Sequence, residues 1–446
     1  MRDSADLTTG SVHGGLLRLA GPMVFGLAAV LSQSLVDTYF VAQLGTAQLA
    51  ALSFTFPVAL TFTSLSIGLS AGAASVVSRV IGESKEREAR RLATASLLLA
   101  TALVAVLSLL GATTIEPLFR LLGASDEVLE YVFQYMPIWY LSMPFLVVGI
   151  VGHGVMRANG EGMWPSAIMV GSALINVVLT PMLMNGLWLF PKLGIEGVAL
   201  ATLVSRVVNL LVTIAALHAL GRMICFSLPS PSAFMASGRR ILRVALPAGG
   251  GNAVSAIGVA VVTGLLAVYG ESTVAAFGVA TRVEAFACLP MVALSSAIGP
   301  FSGQNWGADK RERVVASLKL SYGLCLVWTT VLVPLLWFAG DAISGIFAPE
   351  ASVAAQTNEY FRYVVFTVWG YGFVIVTASA FYGIGKARLG FAYYAMRMLA
   401  LYVPLSWIAT LIAEEEAVFI AIAATNGLAG LTAVATAWWW FHRNAV

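Results

Sequence analysis

Charge is what this 446-residue chain has least of: Asp, Glu, Lys and Arg make up 11% of it, against 59% hydrophobic residues and a mean hydropathy of +0.87. A soluble globular chain carries roughly 25% of these four residues, so there is too little charge to cover a water-facing surface. Cysteine is scarce as well. Cys225, Cys288 and Cys325 are isolated, with no CxxC spacing, which argues against a disulfide framework or a cysteine metal site. His13, His153, His218 and His442 lie far apart and no HExxH occurs, and the one GxSxG string, Gly68-Leu69-Ser70-Ala71-Gly72, sits within the apolar run 50–78, so nothing argues for hydrolytic or metal chemistry. The chain is therefore expected not to be an enzyme, and to carry no metal and no cofactor. No GxxxxGK[ST] loop is present; Gly385-Lys386-Ala387 lacks both the earlier glycine and the hydroxyl. An ion gradient is left as the energy source. The net charge of +3 comes with no dense basic run, which argues against a nucleic-acid partner.

What the chain has in abundance is apolar sequence. A spanning helix needs about 20 apolar residues, and breaks at charged, Gly and Pro positions delimit twelve such segments. They lie near 15–40, 50–78, 92–111, 129–155, 164–185, 195–219, 241–268, 274–302, 314–338, 354–384, 390–413 and 415–441. The pattern predicts an all-α polytopic membrane protein whose only extended partner is the lipid bilayer. The first fourteen residues hold Arg2, Asp3 and Asp6 and lack a small-residue cleavage site, so helix one is expected to stay in the mature chain. With alternating helices, Lys85, Arg87, Arg90, Arg91, Arg157, Arg222, Arg239, Arg240, Arg243, Lys310, Arg311, Arg313, Lys386, Arg388 and Arg443 fall on one side. Glu116, Asp126, Glu127, Glu130, Glu271, Asp341, Glu350 and Glu414 to Glu416 fall on the other. The positive-inside rule then places both termini in the cytoplasm, in a plasma (inner) membrane. Trp438-Trp439-Trp440-Phe441, just before Arg443, suits an interfacial anchor.

An internal repeat runs at a constant offset of 225 residues: LLRLAGP at 16–22 matches ILRVALP at 241–247, and Gly45, Gly82, Lys85 and Gly160 fall on Gly270, Gly307, Lys310 and Gly385. The offset covers an even number of helices, so the halves cross the membrane in the same sense. Two six-helix lobes related by a pseudo-two-fold axis along the membrane normal are expected, as in transporters built from parallel repeats. The lobes are drawn at 1–221 and 241–446, joined by a cytoplasmic linker at 222–240 marked by Pro229-Ser230-Pro231 and Arg239-Arg240.

A carboxylate in hydrocarbon is costly and by default functional. Asp37 falls about eight residues inside helix one, roughly 12 Å from its outer end at about 1.5 Å per residue. Desolvation favours the neutral acid, so a residue there can exchange a proton. Asn176 on helix five and Thr202 on helix six fall at comparable depth, and Thr180 is one turn from Asn176. Together they make a candidate proton or cation site; packing hydrogen bonds are the plain alternative for each. The repeat equivalent of Asp37 is Val262, so only the first half would carry this site. In the second half Glu284 is the buried acid; Arg282, two positions away, points elsewhere, and Arg397 on helix eleven is its expected partner. A structural ion pair or polar packing is the plain reading there, and a second-lobe site for cation binding or coupling is the functional one. Pro22 and Pro247 lie inside helices at equivalent positions, and Pro22 is a candidate hinge for helix one. Gly68 and Gly72 form a small-residue face for close packing. Trp139-Tyr140, Trp369, Tyr371, Phe373, Tyr393, Tyr394 and Met396 would line a cavity for a flat cation or fill the core.

The stretches LVDTYFVAQLGTAQLAALSF, ALINVVLTPM, GIEGVALATLVSR and ATRVEAFACLPMVALSSAIGPFSGQNWGA resemble the multidrug and toxic compound extrusion (MATE) family over essentially the whole chain. The resemblance implies a two-lobed, twelve-helix antiporter that exports organic cations and hydrophobic drugs in exchange for protons or sodium ions, expected here as a monomer. The sequence is most similar to the DNA-damage-inducible F-like branch, which implies a cation site at Asp37, Asn176 and Thr202 and a bending proline at Pro22. Thr180 stands where that branch often has an aspartate, which shifts the expected ion from sodium to the proton. A flippase for a lipid-linked precursor is the rival reading. It calls for a strongly cationic cavity, and the candidate intramembrane bases are chiefly Arg282 and Arg397. A passive pore is a third reading.

Overall fold

The computed structural model describes residues 6–219, 223–225, 229–347, 350–412 and 415–444. Arg2 and Asp3, used above in reading the start of the chain, and Arg222 and Glu414, used to orient it, lie outside the described residues. Every regular element among the described residues is helical. Eleven helices among them are long and apolar enough to cross a membrane, and a bent pair makes a twelfth span. In chain order the spans are α1 (Val12–Leu44), α2 (Thr46–Gly82), α3 (Glu86–Thr113), α4 (Asp126–Ala158), α5 (Met163–Asn185), α6 (Ile195–Ala219) and α7 (Pro231–Tyr269). There follow α8 (Glu271–Ala287 with Leu289–Gly307), α9 (Arg311–Gly340), α10 (Ala351–Gly383), α11 (Ala387–Ile412) and α12 (Glu415–Asn444).

Several spans are less regular than their apolar runs suggest, mostly for reasons visible in proline. Pro57 and Pro290 each sit in the first turn of a new helical piece, so α2 is interrupted at Thr55 and α8 bends by 51° at Cys288. A proline lacks the N–H that would continue the preceding ladder but fits the start of a helix. In α11 the turn Met396–Tyr402 is a π-helix. Pro404 lies just beyond it and lacks the N–H that would bond the Ala400 carbonyl, which favours a widened turn there. A short helix, Ile115–Leu121, lies between α3 and α4 and was not anticipated from the sequence. Residues 231–240, read above as linker, are the first part of α7, with Pro231 as its first residue.

The chain divides into two compact units, the first built on Pro22–Gly249 and the second on Leu7–Gly21 and Gly250–Val446. Within the first, α4 is the central helix, packed against α2, α3 and α6, and Val132, Met136, Met143, Val147 and Val151 along it are fully buried. Gly68 and Gly72 let α2 approach α7 backbone to backbone: a Cβ on Gly68 would lie 2.4 Å from the Ala245 carbonyl oxygen. Trp139 and Tyr140 pack with Phe62 in this core. Within the second unit α10 takes the central place, against α8, α9, α11 and α12. Gln304 and Asn305 tie the N-terminal segment down in that unit: Gln304 Oε1 accepts from the Leu7 N–H at 3.0 Å and Asn305 Nδ2 donates to the Leu7 carbonyl at 3.1 Å. Phe373 and Tyr393 are core residues, whereas Trp438 and Trp439 remain exposed, with the Arg443 guanidinium 4.3 Å from the Trp439 ring.

The 225-residue repeat reappears in three dimensions. Gly45 and Gly270 share a positive φ that favours glycine, 140° and 115°, Gly160 and Gly385 have φ of 80° and 81°, and Ser84 and Asp309 both turn left-handed at 59° and 58°. The tight turns after α2 and α8 close through equivalent bonds, Lys85 N–H to the Val80 carbonyl and Lys310 N–H to the Asn305 carbonyl.

Candidate functional site

In the first unit the polar groups gather where α1, α4, α5 and α6 meet. An apolar stretch of α1 carries Asp37, and Thr180 of α5, fully buried, donates its hydroxyl to Asp37 Oδ1 at 3.3 Å. The Gln33 side chain, one turn earlier on α1, also hydrogen-bonds this carboxylate. One turn from Thr180 on the same face of α5, Asn176 Nδ2 donates to Thr202 Oγ1 of α6 at 3.2 Å. Thr202 spends its own proton on the Val198 carbonyl at 3.0 Å, so its oxygen is the acceptor and the Asn176 amide must present nitrogen to it. That leaves Asn176 Oδ1 buried without a hydrogen-bond partner. A buried acceptor in that state is worth about 1–3 kcal/mol to whatever satisfies it. A carboxylate with an unfilled amide oxygen one turn from its hydroxyl partner is an arrangement suited to a proton or a small hard cation.

One member of this cluster was missed above. Arg206 lies one turn after Thr202 on α6, its charge acts on Asp37, and Nη1 donates to Ser142 Oγ of α4 at 2.5 Å. Its guanidinium stands 5.8 Å from the Trp139 ring. Arg206 therefore joins the intramembrane bases, which the sequence reading counted as chiefly Arg282 and Arg397. A basic residue in the middle of the apolar run 195–219 was the available signal. Pro22 lies inside α1, and its carbonyl accepts a hydrogen bond from the Ser166 hydroxyl of α5. The first unit begins at Pro22 and the second unit's N-terminal piece ends at Gly21.

The second unit holds a different polar cluster. Tyr360 of α10, buried, donates its hydroxyl to Glu284 of α8 at 2.5 Å. The expected Arg397–Glu284 ion pair is not formed. Instead Arg397 sends Nε and Nη2 to Asn426 Oδ1 of α12 at 3.3 and 2.9 Å. The reason is local: the π turn carries Arg397 toward α12, while Glu284 is already engaged by α10. The guanidinium lies 4.9 Å from the Tyr371 ring centroid and 5.5 Å from that of Tyr402. Arg282 is exposed and takes no part in this cluster.

Comparison with known proteins places the chain. The MatE family profile matches residues 22–182 and 247–408. The chain belongs to the MatE family. This MatE protein is 34% identical over 432 residues to an FAD transporter of Shewanella oneidensis, a match covering 97% of this chain and 95% of the other. It is 25% identical to the probable multidrug resistance protein YoeA of Bacillus subtilis, over 74% of this chain and 71% of that one. Its fold matches that of a mutant of the Vibrio cholerae MATE transporter VcmN with a TM-score of 0.94 at 24% identity, over 99% of both chains. The chain is thus a multi-pass integral membrane transporter and not an enzyme, and its family works from ion gradients without a bound cofactor.

Proposed function

We propose that this chain exports a flavin dinucleotide or a closely similar aromatic phosphate, driven by protons taken up at Asp37. The Asp37–Thr180 and Asn176–Thr202 pairs, set one turn apart on α5, are the observation that carries the coupling site. Binding a proton changes the charge of that cluster by one unit and so biases one of two helix arrangements. The proton is favoured over sodium because the cluster holds a single carboxylate with the Arg206 guanidinium acting on it. A fixed positive charge repels a coordinated cation, while a proton forms a covalent O–H bond and needs no oxygen cage. Pro22, on the same helix as Asp37, is the hinge of this reading, because it removes one backbone hydrogen bond from α1. The two lobes joined near 222–240, the monomeric state, the inner membrane and the cytoplasmic termini all belong to this reading. The basic ends of α2, α3, α7 and α9 support the orientation. Arg120, on the acidic side, is held by Glu116 and Asp126 at 3.0 and 2.9 Å and adds no net positive charge there.

The cargo rests on the FAD transporter of Shewanella oneidensis, matched at higher identity and over more of the chain than the multidrug protein of Bacillus subtilis. Organic cations and hydrophobic drugs remain the second reading, which that multidrug relative favours. The test is transport in proteoliposomes under an imposed pH gradient or an imposed sodium gradient, with FAD or a cationic dye as cargo, comparing the wild type with Asp37→Asn. FAD movement under the pH gradient alone, absent in the variant, is the expected result. Movement under sodium alone overturns the proton assignment, and dye movement without FAD movement overturns the cargo.

A further inference from the structure

We infer that the Arg397 cluster of the second unit is a phosphate-recognition site for the exported molecule, a deepening that rests on the flavin dinucleotide reading above. A guanidinium within a membrane helix is costly and is normally matched by a carboxylate or by carbonyl oxygens. Arg397 is 7% exposed, yet among the described residues it forms no ion pair within 4.0 Å. Its Nε and Nη2 share one amide oxygen, and Nη1 reaches only the Met398 sulfur at 3.8 Å, a weak acceptor. The second donor in the cluster is also unspent. Asn426 turns its oxygen to Arg397, so its nitrogen faces the other way, and that Nδ2 is buried with no hydrogen-bond partner. Glu284, the nearby acid, is occupied by the Tyr360 hydroxyl. The cluster therefore offers surplus hydrogen-bond donors that the nearby Glu284 does not reach, which call for an acceptor-only group with several oxygens. A phosphate, taken by the planar fork of arginine, meets that description.

The aromatic side of the site fits the same cargo. Residues five apart in an α-helix diverge by about 140° around the axis, but the i to i+5 bonding of a π turn brings them nearly into line. The turn Met396–Tyr402 thereby sets the Tyr402 ring beside Arg397, and Tyr371 of α10 covers the guanidinium from a second direction. Tyr371 is only partly buried, so one of the two rings stays open to a flat ligand. The cluster has no counterpart at the first unit's proton site, where the unsatisfied atom is an acceptor, Asn176 Oδ1.

The experiment is binding to the purified full-length protein in lipid nanodiscs, read by flavin fluorescence for FAD and riboflavin and by calorimetry for inorganic pyrophosphate. The wild type is expected to hold FAD at least about ten-fold more tightly than riboflavin, and Arg397→Gln to lose that preference while binding riboflavin unchanged. Arg397→Lys keeps the charge without the fork and should restore part of the preference. Asn426→Asp gives Arg397 a carboxylate at the distance now held by the amide, so the packing survives while pyrophosphate binding is lost. Equal weakening of FAD and riboflavin in Arg397→Gln, or FAD affinity unchanged in both Arg397→Gln and Asn426→Asp, overturns the site. Pyrophosphate separates the two failures. Pyrophosphate binding that disappears in Arg397→Gln upholds the anion site even if FAD proves not to be the cargo, and no pyrophosphate binding to the wild type overturns it.

Discussion

Ser70 donates its hydroxyl to the Ile150 carbonyl at 3.0 Å in the first unit, and 225 residues later Ser295 donates to the Ile375 carbonyl, also at 3.0 Å. Tyr135 and Tyr360, another equivalent pair, are both buried in the central helices α4 and α10. The backbone and its supporting bonds are thus repeated, but the membrane-embedded acids are not. Asp37 has Val262, fully buried, as its counterpart, and Glu284 has Ala59. Tyr360 spends its hydroxyl on Glu284, a partner that no residue at the equivalent position of the first unit can supply. Duplication accounts for the scaffold. The division of labour proposed here, proton in the first unit and phosphate in the second, lies in side chains that the repeat does not share.

The strongest way to break that contrast is to move the carboxylate. Asp37→Asn should reduce gradient-driven transport at least about 100-fold, since the only acid of the cluster is removed. Adding Val262→Asp to that variant should not restore it, because Val262 is fully buried and the positions equivalent to Thr180 and Asn176 are Leu405 and Leu401. Proteoliposome flux under a pH gradient measures both, and recovery in the double variant would show that position in the repeat, not the local oxygen set, decides coupling.

Next in size is the proline pair. The first unit begins at Pro22 in α1, and the boundary in α7 falls at Gly249 and Gly250, two residues after Pro247. Each proline removes one backbone hydrogen bond, but only α1 also carries Asp37. Pro22→Ala should therefore slow transport about ten-fold with little change in the affinity for cargo, and Pro247→Ala about two-fold or less. Equal effects in the initial-rate assay would remove the special place given to Pro22.

Much of this was legible in the chain itself, and the exceptions follow a pattern. Asp37 stands out because an acid in an apolar run is rare, and Asn176 and Thr180 share a face by spacing alone. The partners were harder to read. Whether Arg206 faces lipid or its neighbours depends on how α6 packs, which spacing within one helix does not reveal. Arg397 was paired with Glu284 because opposite charges at similar depth are the simplest match, and the π turn before Pro404 instead carried it to Asn426. The hydrogen bond between Tyr360 and Glu284 joins residues 76 apart on two helices, a contact that no local periodicity encodes.

The smallest expected effect concerns the packing beneath the two sites. Gly68 and Gly72 of α2 have Ala293 and Ala297 as counterparts in α8, so the second unit already accommodates a methyl where the first does not. A Cβ on Gly68 would sit 2.4 Å from the Ala245 oxygen and 2.8 Å from the Gly249 nitrogen, both backbone atoms that cannot rotate away. Gly68→Ala should then force α2 and α7 apart and cost about 1–3 kcal/mol, the range for inserting a methyl into a full interior. Ala293→Gly, in contrast, removes a buried methyl and loosens the helix backbone, at about 1 kcal/mol. Thermal unfolding of each variant in the same detergent, followed by intrinsic tryptophan fluorescence, compares the two directly. A larger loss at Ala293 than at Gly68 would mean that the close approach of α2 to α7 is dispensable, and that the glycines of the first unit serve motion and not packing.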